Sequence, residues 1–281
     1  MTTAPTRSPI DPRSGSNRPR ATAPAATRPS LDPIRVLRQK AWLIAGSAVV
    51  GLALGGVAHF VCDYVYPLYS EMGLIKLVDF QPIISAILLF QSHALVSKIV
   101  TGLSTSSLKN KKVLITSCAF GNVIPRVVDA AVHSGAKQVL IADIIRNELV
   151  HAKSKLGQYA GKVAYVEDNA TAMTQEPGCA DANVIFFLLH ELPHDLKEKA
   201  LQEAGRMLAP GGKLYLAEFH RPEVAVLRGL SWLYFKIFEP FGLALWDTHD
   251  PVKCLNAMGG WSCERSTYFF GNFQVVTATK Q

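Results

Sequence analysis

The chain has 281 residues, of which 49% are hydrophobic and 18% charged, with a formal net charge of +7. That charge is concentrated: residues 1–40 hold eight Lys/Arg against two acids and the rest is close to neutral, so the basic balance does not mark a nucleic-acid binder. Five cysteines without a C-x-x-C pair exclude a disulfide scaffold and a cysteine zinc ribbon.

Residues 1–40 carry seven of the 16 prolines among Thr, Ala, Ser and Arg. Such a composition buries too little apolar surface to fold and predicts a disordered tail. Its Arg- and Ser/Thr-rich, acid-poor character equally fits a mitochondrial targeting sequence or a bacterial cytoplasmic tail. The 22-residue uncharged run Ala41–Cys62 follows. At ~1.5 Å per residue a helix of that length covers ~33 Å, which predicts one membrane helix. Gly51 and Gly55 add a spacing that suits close helix packing. Arg35, Arg38 and Lys40 precede the run, and Asp63, Glu71 and Asp79 follow it, an asymmetry that keeps the N-terminus on the cytoplasmic or matrix side. That orientation carries the rest of the chain across the membrane, away from a cytosolic cofactor. Residues 63–101, with Ile83, Ile84, Ile87, Leu88 and Phe90, therefore read as a membrane-associated helical segment, re-entrant or interfacial.

From residue 102 to 281 the pattern changes. Val113–Thr116 reads as a strand, Val123–His133 as a helix, Gln138–Ala142 as a strand and Asn147–Leu156 as a helix. Val163–Val166 is a third strand, and the uniformly apolar Asn183–Leu189 is one buried on both faces. Asp195–Leu208 is amphipathic, Pro210-Gly211-Gly212 is a turn and Lys213–Glu218 a strand. This alternation predicts an α/β fold, a doubly wound, mostly parallel sheet covered by helices on both faces. Ser266–Phe270 and Phe273–Thr279, flanking Gly271-Asn272, predict a closing antiparallel hairpin.

In such folds ligands sit at the carboxyl ends of the strands. The first strand ends in Ser117-Cys118-Ala119-Phe120-Gly121-Asn122, with Gly121 alone to allow close backbone approach. The second ends at Asp143, 22 residues after Gly121, a carboxylate placed for ribose hydroxyls; the alternative is an acid capping the next helix. Asp168, after the third strand, suits an exocyclic amine such as that of adenine, or an ordinary polar turn. His190-Glu191-Leu192-Pro193-His194 matches H-E-x-x-H literally. A zinc protease needs both histidines on one helix, and Pro193 within the motif argues against one. His190 and Glu191 read instead as site residues, with His220 after the fifth strand facing the same crevice. Trp232, Phe238, Phe241 and Trp246 belong to an aromatic stretch that reads as packed core or as a greasy lid over an apolar substrate.

These residues resemble class I S-adenosylmethionine-dependent methyltransferases, and within them the quinone C-methyltransferases and the rhodoquinone-biosynthesis (RquA) family. The likeness rests on Cys118–Asn122 with Pro125-Arg126, Phe186–Pro193, Leu208–Lys213, Phe219–Pro222, Phe238–Phe241 with Leu245-Trp246, and Thr267–Gly271. It implies a seven-stranded Rossmann-like sheet. It implies S-adenosylmethionine as donor, held by Cys118, Phe120, Gly121, Asn122, Asp143, Ile144, Asp168 and Asn169. It implies manganese(II), with His190 and Glu191 as candidate ligands, and ubiquinone in the membrane as substrate. The implied reaction replaces a ring methoxy group by an amino group, with His190, Glu191 and His220 at the quinone and Trp232, Phe238, Phe241 and Trp246 around it. The expected setting is a mitochondrial or bacterial inner membrane, within reach of a quinone-biosynthesis complex. Conventional methyl transfer and a non-catalytic role in such a complex are the competing functions. The sequence departs from the family at Phe120, where Tyr is usual, and at Asn122, where Asp is usual. Ile115 stands where methyltransferases carry the acid that holds the donor's ammonium.

Overall fold

Alternate side chains along a strand point to opposite faces of a sheet, so the burial pattern of each strand decides which helices can cover it. The computed structural model describes residues 71–237 and 239–281. The expected tail over 1–40 and membrane helix over Ala41–Cys62 lie outside these residues. Three helices come first: α1 (Met72–Val78), α2 (Gln81–Ile87) and α3 (Ser92–Thr105). Then strands and helices alternate: β1 (Lys112–Thr116), α4 (Val123–His133), β2 (Gln138–Asp143), α5 (Arg146–Lys155), β3 (Val163–Glu167), β4 (Ala180–Phe186), α6 (His194–Met207) and β5 (Leu208–Phe219). The chain continues through α7 (Ala225–Ile237), α8 (Pro251–Met258), β6 (Trp261–Tyr268) and β7 (Phe273–Lys280).

The sheet order is β3-β2-β1-β4-β5-β7-β6. β1 pairs in parallel with β2 and with β4, and only β7 runs antiparallel to its neighbours. This is the class I methyltransferase topology. Val113, Ile115, Val139, Ile141 and Val184 project to the face covered by α3, α4 and α5. Ile185, Leu214, Leu216 and Val276 project to the opposite face, under α6 and α8.

The structure moves two expected boundaries. The strand containing Lys213–Glu218 begins earlier, at Leu208, and Pro210-Gly211-Gly212 bulges out of it. The pairing jumps from Leu208 opposite Ala180 to Lys213 opposite Ala182, and Gly211 supplies the positive φ of +74° that the bulge needs. The expected boundary at 101/102 falls inside α3, whose Leu95, Val96, Ile99 and Leu103 are buried in the sheet's core. α3 is therefore part of the α/β domain. Among the described residues no single helix is long and apolar enough to cross a membrane; α2 and α3 meet that test only together, bent by 98° at their junction.

The H-E-x-x-H match is not a helical motif. Leu189–Glu191 forms a 3-10 turn, Pro193 precedes α6, and His194 opens that helix on its exposed side. The two histidines thus lie on separate elements.

Phe273 joins the hairpin to the crevice end of the sheet. It is fully buried, with ring centroids 5.4 Å from Phe219 and 6.0 Å from Phe187. Phe273→Ala removes this packing and leaves a cavity, an expected loss of about 3–5 kcal/mol. Urea unfolding checks it as a lowered midpoint with unchanged slope.

Candidate active site

β1 lies between β2 and β4, and its two neighbours lead to opposite ends of the sheet, so the loops after β1 and β4 part and leave a crevice. Ser117 takes a φ of +75°, turning the chain sharply off β1. The Cys118 N–H donates to Asp143 Oδ2 at 2.5 Å and the Ile145 N–H donates to Asp143 Oδ1 at 2.7 Å. Asp143 thus sits at the carboxyl end of β2, buried, with a backbone donor on each oxygen. Burial pushes its carboxyl up to about 6, against the two N–H bonds that favour the anion. The Cys118 Sγ, Asp143 and Glu148 ligand atoms all lie within 4.8 Å of one another. Burial first, then the Asp143 and Glu148 carboxylates, drives the Cys118 thiol far above its ordinary range, so the thiol is protonated.

Other expected donor residues fall into three environments. Gly121 takes a φ of +73°, a conformation that other side chains rarely adopt, and it packs against Gln81. Ile144 is exposed beside Asp143. The Asp168 and Asn169 side chains turn into their own loop: Asp168 accepts from Asn169 N–H and from the Thr174 N–H and hydroxyl, and Asn169 accepts from Thr171. They shape the loop after β3. Ile115, at the usual acid's place, packs into the core.

Across the crevice, His190 is buried beside Glu218 of β5, its Nδ1 3.1 Å from Oε1. Glu218 also accepts from the Phe219 N–H at 2.8 Å and the His190 N–H at 3.2 Å. Burial alone pushes the His190 imidazole down; the charge and hydrogen bond of Glu218 outweigh it and hold the pKa above its ordinary value. Lys197 of α6, also buried, donates to the Leu189 and Leu192 carbonyls at 2.5 and 2.6 Å and so clamps the turn that presents His190. Burial brings this lysine down to about 8, despite the acids Glu218, Glu239 and Glu191 nearby.

An edge-to-face chain of rings extends from His190: His190 to Phe219 at 5.0 Å, Phe219 to Phe235 at 5.0 Å and Phe235 to Trp246 at 5.7 Å between centroids. The Trp246 indole Nε1 is buried without a hydrogen-bond partner in this array. Phe241 lies edge-on to His194, and Trp232 is exposed with the Lys236 ammonium over its ring. Phe238 lies outside the described residues.

His220 follows β5 with its ring nitrogens already engaged. Its Nδ1 bonds the Gly271 carbonyl at 2.8 Å and its Nε2 faces Arg265 Nη1 at 3.1 Å, while Arg265 also pairs with Asp250. Both ring nitrogens are taken by the hairpin, so His220 holds β6 and β7 to the end of β5. The one grouping of three metal-capable side chains among the described residues is Cys118, Asp143 and Glu148, and it includes neither His190 nor Glu191.

Sequence reasoning missed the contribution of α1 and α5 to the loop after β1. Asp79 Oδ1 accepts from the Gly121 N–H at 2.8 Å and pairs with Lys155 Nζ at 2.8 Å, with His151 Nε2 3.1 Å from its other oxygen. Gln81 Oε1 accepts from the Asn122 N–H at 2.8 Å. Ile75, Asp79, Cys118, Phe120, Glu148 and Lys155 line a small pocket here. The available signal was an acid, Asp79, in an otherwise apolar stretch. Glu218 had the same kind of signal, a lone acid closing an apolar strand.

The sequence model of the ubiE/COQ5 methyltransferase family matches residues 78–255. The ubiquinone/menaquinone biosynthesis C-methyltransferase UbiE of Shewanella sp. (strain ANA-3) is 34% identical over 121 residues, covering 42% of this chain and 47% of that protein. The UbiE of Bartonella quintana (strain Toulouse) is 28% identical over 160 residues, covering 57% and 61%. The chain thus spans about half the length of the curated relatives it matches. Among solved structures, the YcgJ protein of Bacillus subtilis superposes with a TM-score of 0.54 at 11% identity, covering 67% of this chain and 99% of that one, a likeness of fold.

Because Glu218 is what reverses the effect of burial on His190, Glu218→Gln should drop the imidazole pKa from above its ordinary value to below it. A nuclear magnetic resonance titration of the His190 ring reads this directly. The stability linked to His190 is fully present below the unfolded pKa, about 6.5, and is lost as pH rises through the higher folded value. The variant should reverse that dependence, with stability falling as pH drops through the unfolded pKa.

Proposed function

Because the chain belongs to the ubiE/COQ5 methyltransferase family, with the family's sequence model spanning residues 78–255, we propose that it uses S-adenosylmethionine to modify the ring of a membrane quinone, replacing a methoxy group of ubiquinone by an amino group. The observation that carries this reading is that two unlike groups of side chains stand at the carboxyl end of the sheet on either side of β1, where the strand order reverses. One holds the buried carboxylate of Asp143, the other His190, Glu218 and a chain of aromatic rings.

The residues present suit the donor. Asp143 accepts a backbone N–H on each oxygen and a hydrogen bond from the Cys118 thiol, which leaves one acceptor position for a ribose hydroxyl. Exposed Ile144 offers an apolar surface to a base, and glycine at 121 admits close backbone approach. When bound, the donor brings both an electrophilic methyl group and an amine. This chain's residues favour the amine in two ways. Ile115 withholds the carboxylate that β1 usually supplies, and the nearest loop carboxylate, Asp79, is already paired with Lys155. An ammonium gains little from a paired anion, so the neutral amine is less disfavoured. Cys118, Ala119 and Phe120 pack against the core cluster at positions of Gly-Gly-Thr type, and their bulk narrows the room for the methionine arm.

On the acceptor side, the aromatic rings bind the quinone and exclude water. Glu218 keeps a proton on His190 Nδ1, which leaves Nε2 to deliver or take a proton at a ring carbonyl oxygen. The Trp246 N–H supplies a second donor in the same array. Manganese has poorer footing. Cys118, Asp143 and Glu148 include a protonated thiol, a donor set unlike the oxygen ligands this ion prefers. Methyl transfer is the second reading, favoured by the C-methyltransferase names of the relatives. The apolar residues exposed at this edge of the sheet support association with a mitochondrial or bacterial inner membrane, where the substrate and a biosynthetic complex reside.

The deciding experiment gives the full chain ubiquinone and S-adenosylmethionine labelled separately on nitrogen and on the methyl carbon. Nitrogen label in the product supports amino transfer, methyl label replaces it with methylation, and neither leaves the non-catalytic role. Asp143→Ala should weaken donor binding by at least tenfold in calorimetry, since hydrogen bonds to a charged group are worth about 1.5–3 kcal/mol each. Unchanged affinity removes Asp143 from the site.

A further inference from the structure

Helices α1 and α2 show opposite chemistry on their two sides. Inward, Asp79 and Gln81 hold the Gly121 and Asn122 N–H groups, and Lys155 Nζ ties Asp79 to the Gly121 carbonyl, 2.6 Å away. Those two N–H groups belong to the loop that a donor must approach. Outward, Leu77, Phe80, Ile83, Ile87, Leu89 and Phe90 are exposed, Phe90 by 78%. Leu89 and Phe90 also take φ values of +48° and +62°, which side chains of this size rarely adopt. Two apolar residues are thus held in a strained turn with their side chains in water, a combination that marks function.

A second exposed apolar face lies at the same carboxyl edge of the sheet. Val226, Leu230 and Leu233 project from α7, and Phe270 projects from the β6–β7 turn, whose carbonyl accepts the Glu223 N–H. Basic groups outnumber acidic ones beside the two faces: Lys76, Arg221, Arg228 and Lys236 against Glu71 and Glu223. Lys76 is the one charged residue of 72–90 apart from Asp79, which turns inward, and Arg228 and Lys236 are those of 224–237. Cations beside exposed apolar side chains complement anionic headgroups over acyl chains. The 22-residue uncharged run ends at Cys62, ten residues before α1.

We propose that this edge docks on an anionic lipid surface through α1, α2 and α7, and that docking draws Asp79 and Gln81 off the Gly121 and Asn122 N–H groups, opening the loop to the donor. α1 and α2 are a latch whose release signal is the membrane that holds the apolar substrate. The assignment of residues 117–122 as the donor loop rests on the function proposed above; the latch itself does not.

Hydrogen–deuterium exchange of the full chain tests it in bilayer discs of phosphatidylcholine, with and without phosphatidylglycerol. With phosphatidylglycerol, the peptide over 80–90 should be protected and that over 117–123 should exchange at least tenfold faster. The variant F80Q/I83Q/F90Q changes exposed positions only and should lose both responses at an unchanged melting temperature. Asp79→Ala with Gln81→Ala should show fast exchange over 117–123 in either disc. Exchange over 117–123 that ignores lipid composition overturns the proposal, as does a response that survives the triple variant. Protection of 80–90 in every disc and in both variants means that a second copy or the 41–62 run covers this face, and overturns it too. Adding S-adenosylmethionine separates the two readings: if no form binds it, the donor assignment fails while the exchange pattern still decides the latch.

Discussion

The site depends on one constraint, the pairing of β1 on both of its edges at a fixed register. Thr116 stands opposite Ala142 on one side and Ile185 on the other, so three strands end at one level. Only at that level can the Cys118 N–H reach the Asp143 carboxylate while the turn after β4 brings His190 to the opposite wall. A shift of one residue would turn the core face of β1 to the other side of the sheet. Within this apolar layer, the buried Thr116 hydroxyl donates to Asn183 Oδ1 at 2.9 Å, a polar contact that only the native register satisfies.

Burial disfavours charge on both walls, and only the acceptor wall holds a partner that overcomes it. On the donor side it works against charge, raising both the Asp143 carboxyl and the Cys118 thiol. With Asp143 at about 6 in the folded chain, the native state holds more protons than the unfolded one between pH ~4 and ~6, so this group's contribution to stability falls as pH rises through that window. On the acceptor side the buried Glu218 meets an imidazole and, at longer range, the Lys197 ammonium. Cation and anion there sustain each other, and the proton stays on the histidine. One crevice thus keeps a reluctant anion on one wall and a stabilised cation on the other.

Much of this was legible in the sequence because the period of burial is written in it. β1 to β4, α4 and α6 follow the apolar patterns directly, and the spacing from Gly121 to Asp143 locates the carboxylate at the end of β2. The closing hairpin was also readable, from Gly271-Asn272 between two β-rich runs. What was not readable depends on contacts between distant segments. His220 looks like a site residue in any list of strand ends; only the fold reveals that Gly271 and Arg265 take both of its nitrogens. Asp79 sits in a stretch whose hydropathy suggests lipid, and no local pattern says that it reaches Gly121, 42 residues away. α3 is apolar enough to resemble a membrane segment, and burial under a sheet imposes the same composition.

The place of β7 has a consequence for how the chain is made. β7 lies between β5 and β6, so neither of those strands touches the other. As the polypeptide leaves the ribosome, β5 joins β4 but keeps its far edge bare until Phe273–Lys280 emerges. For the time needed to synthesise the intervening residues, a row of free backbone donors and acceptors flanks a nearly finished sheet. The last strand in the order of synthesis is an interior strand of the finished sheet. Its arrival, more than that of any helix, turns a sticky nascent domain into a closed one.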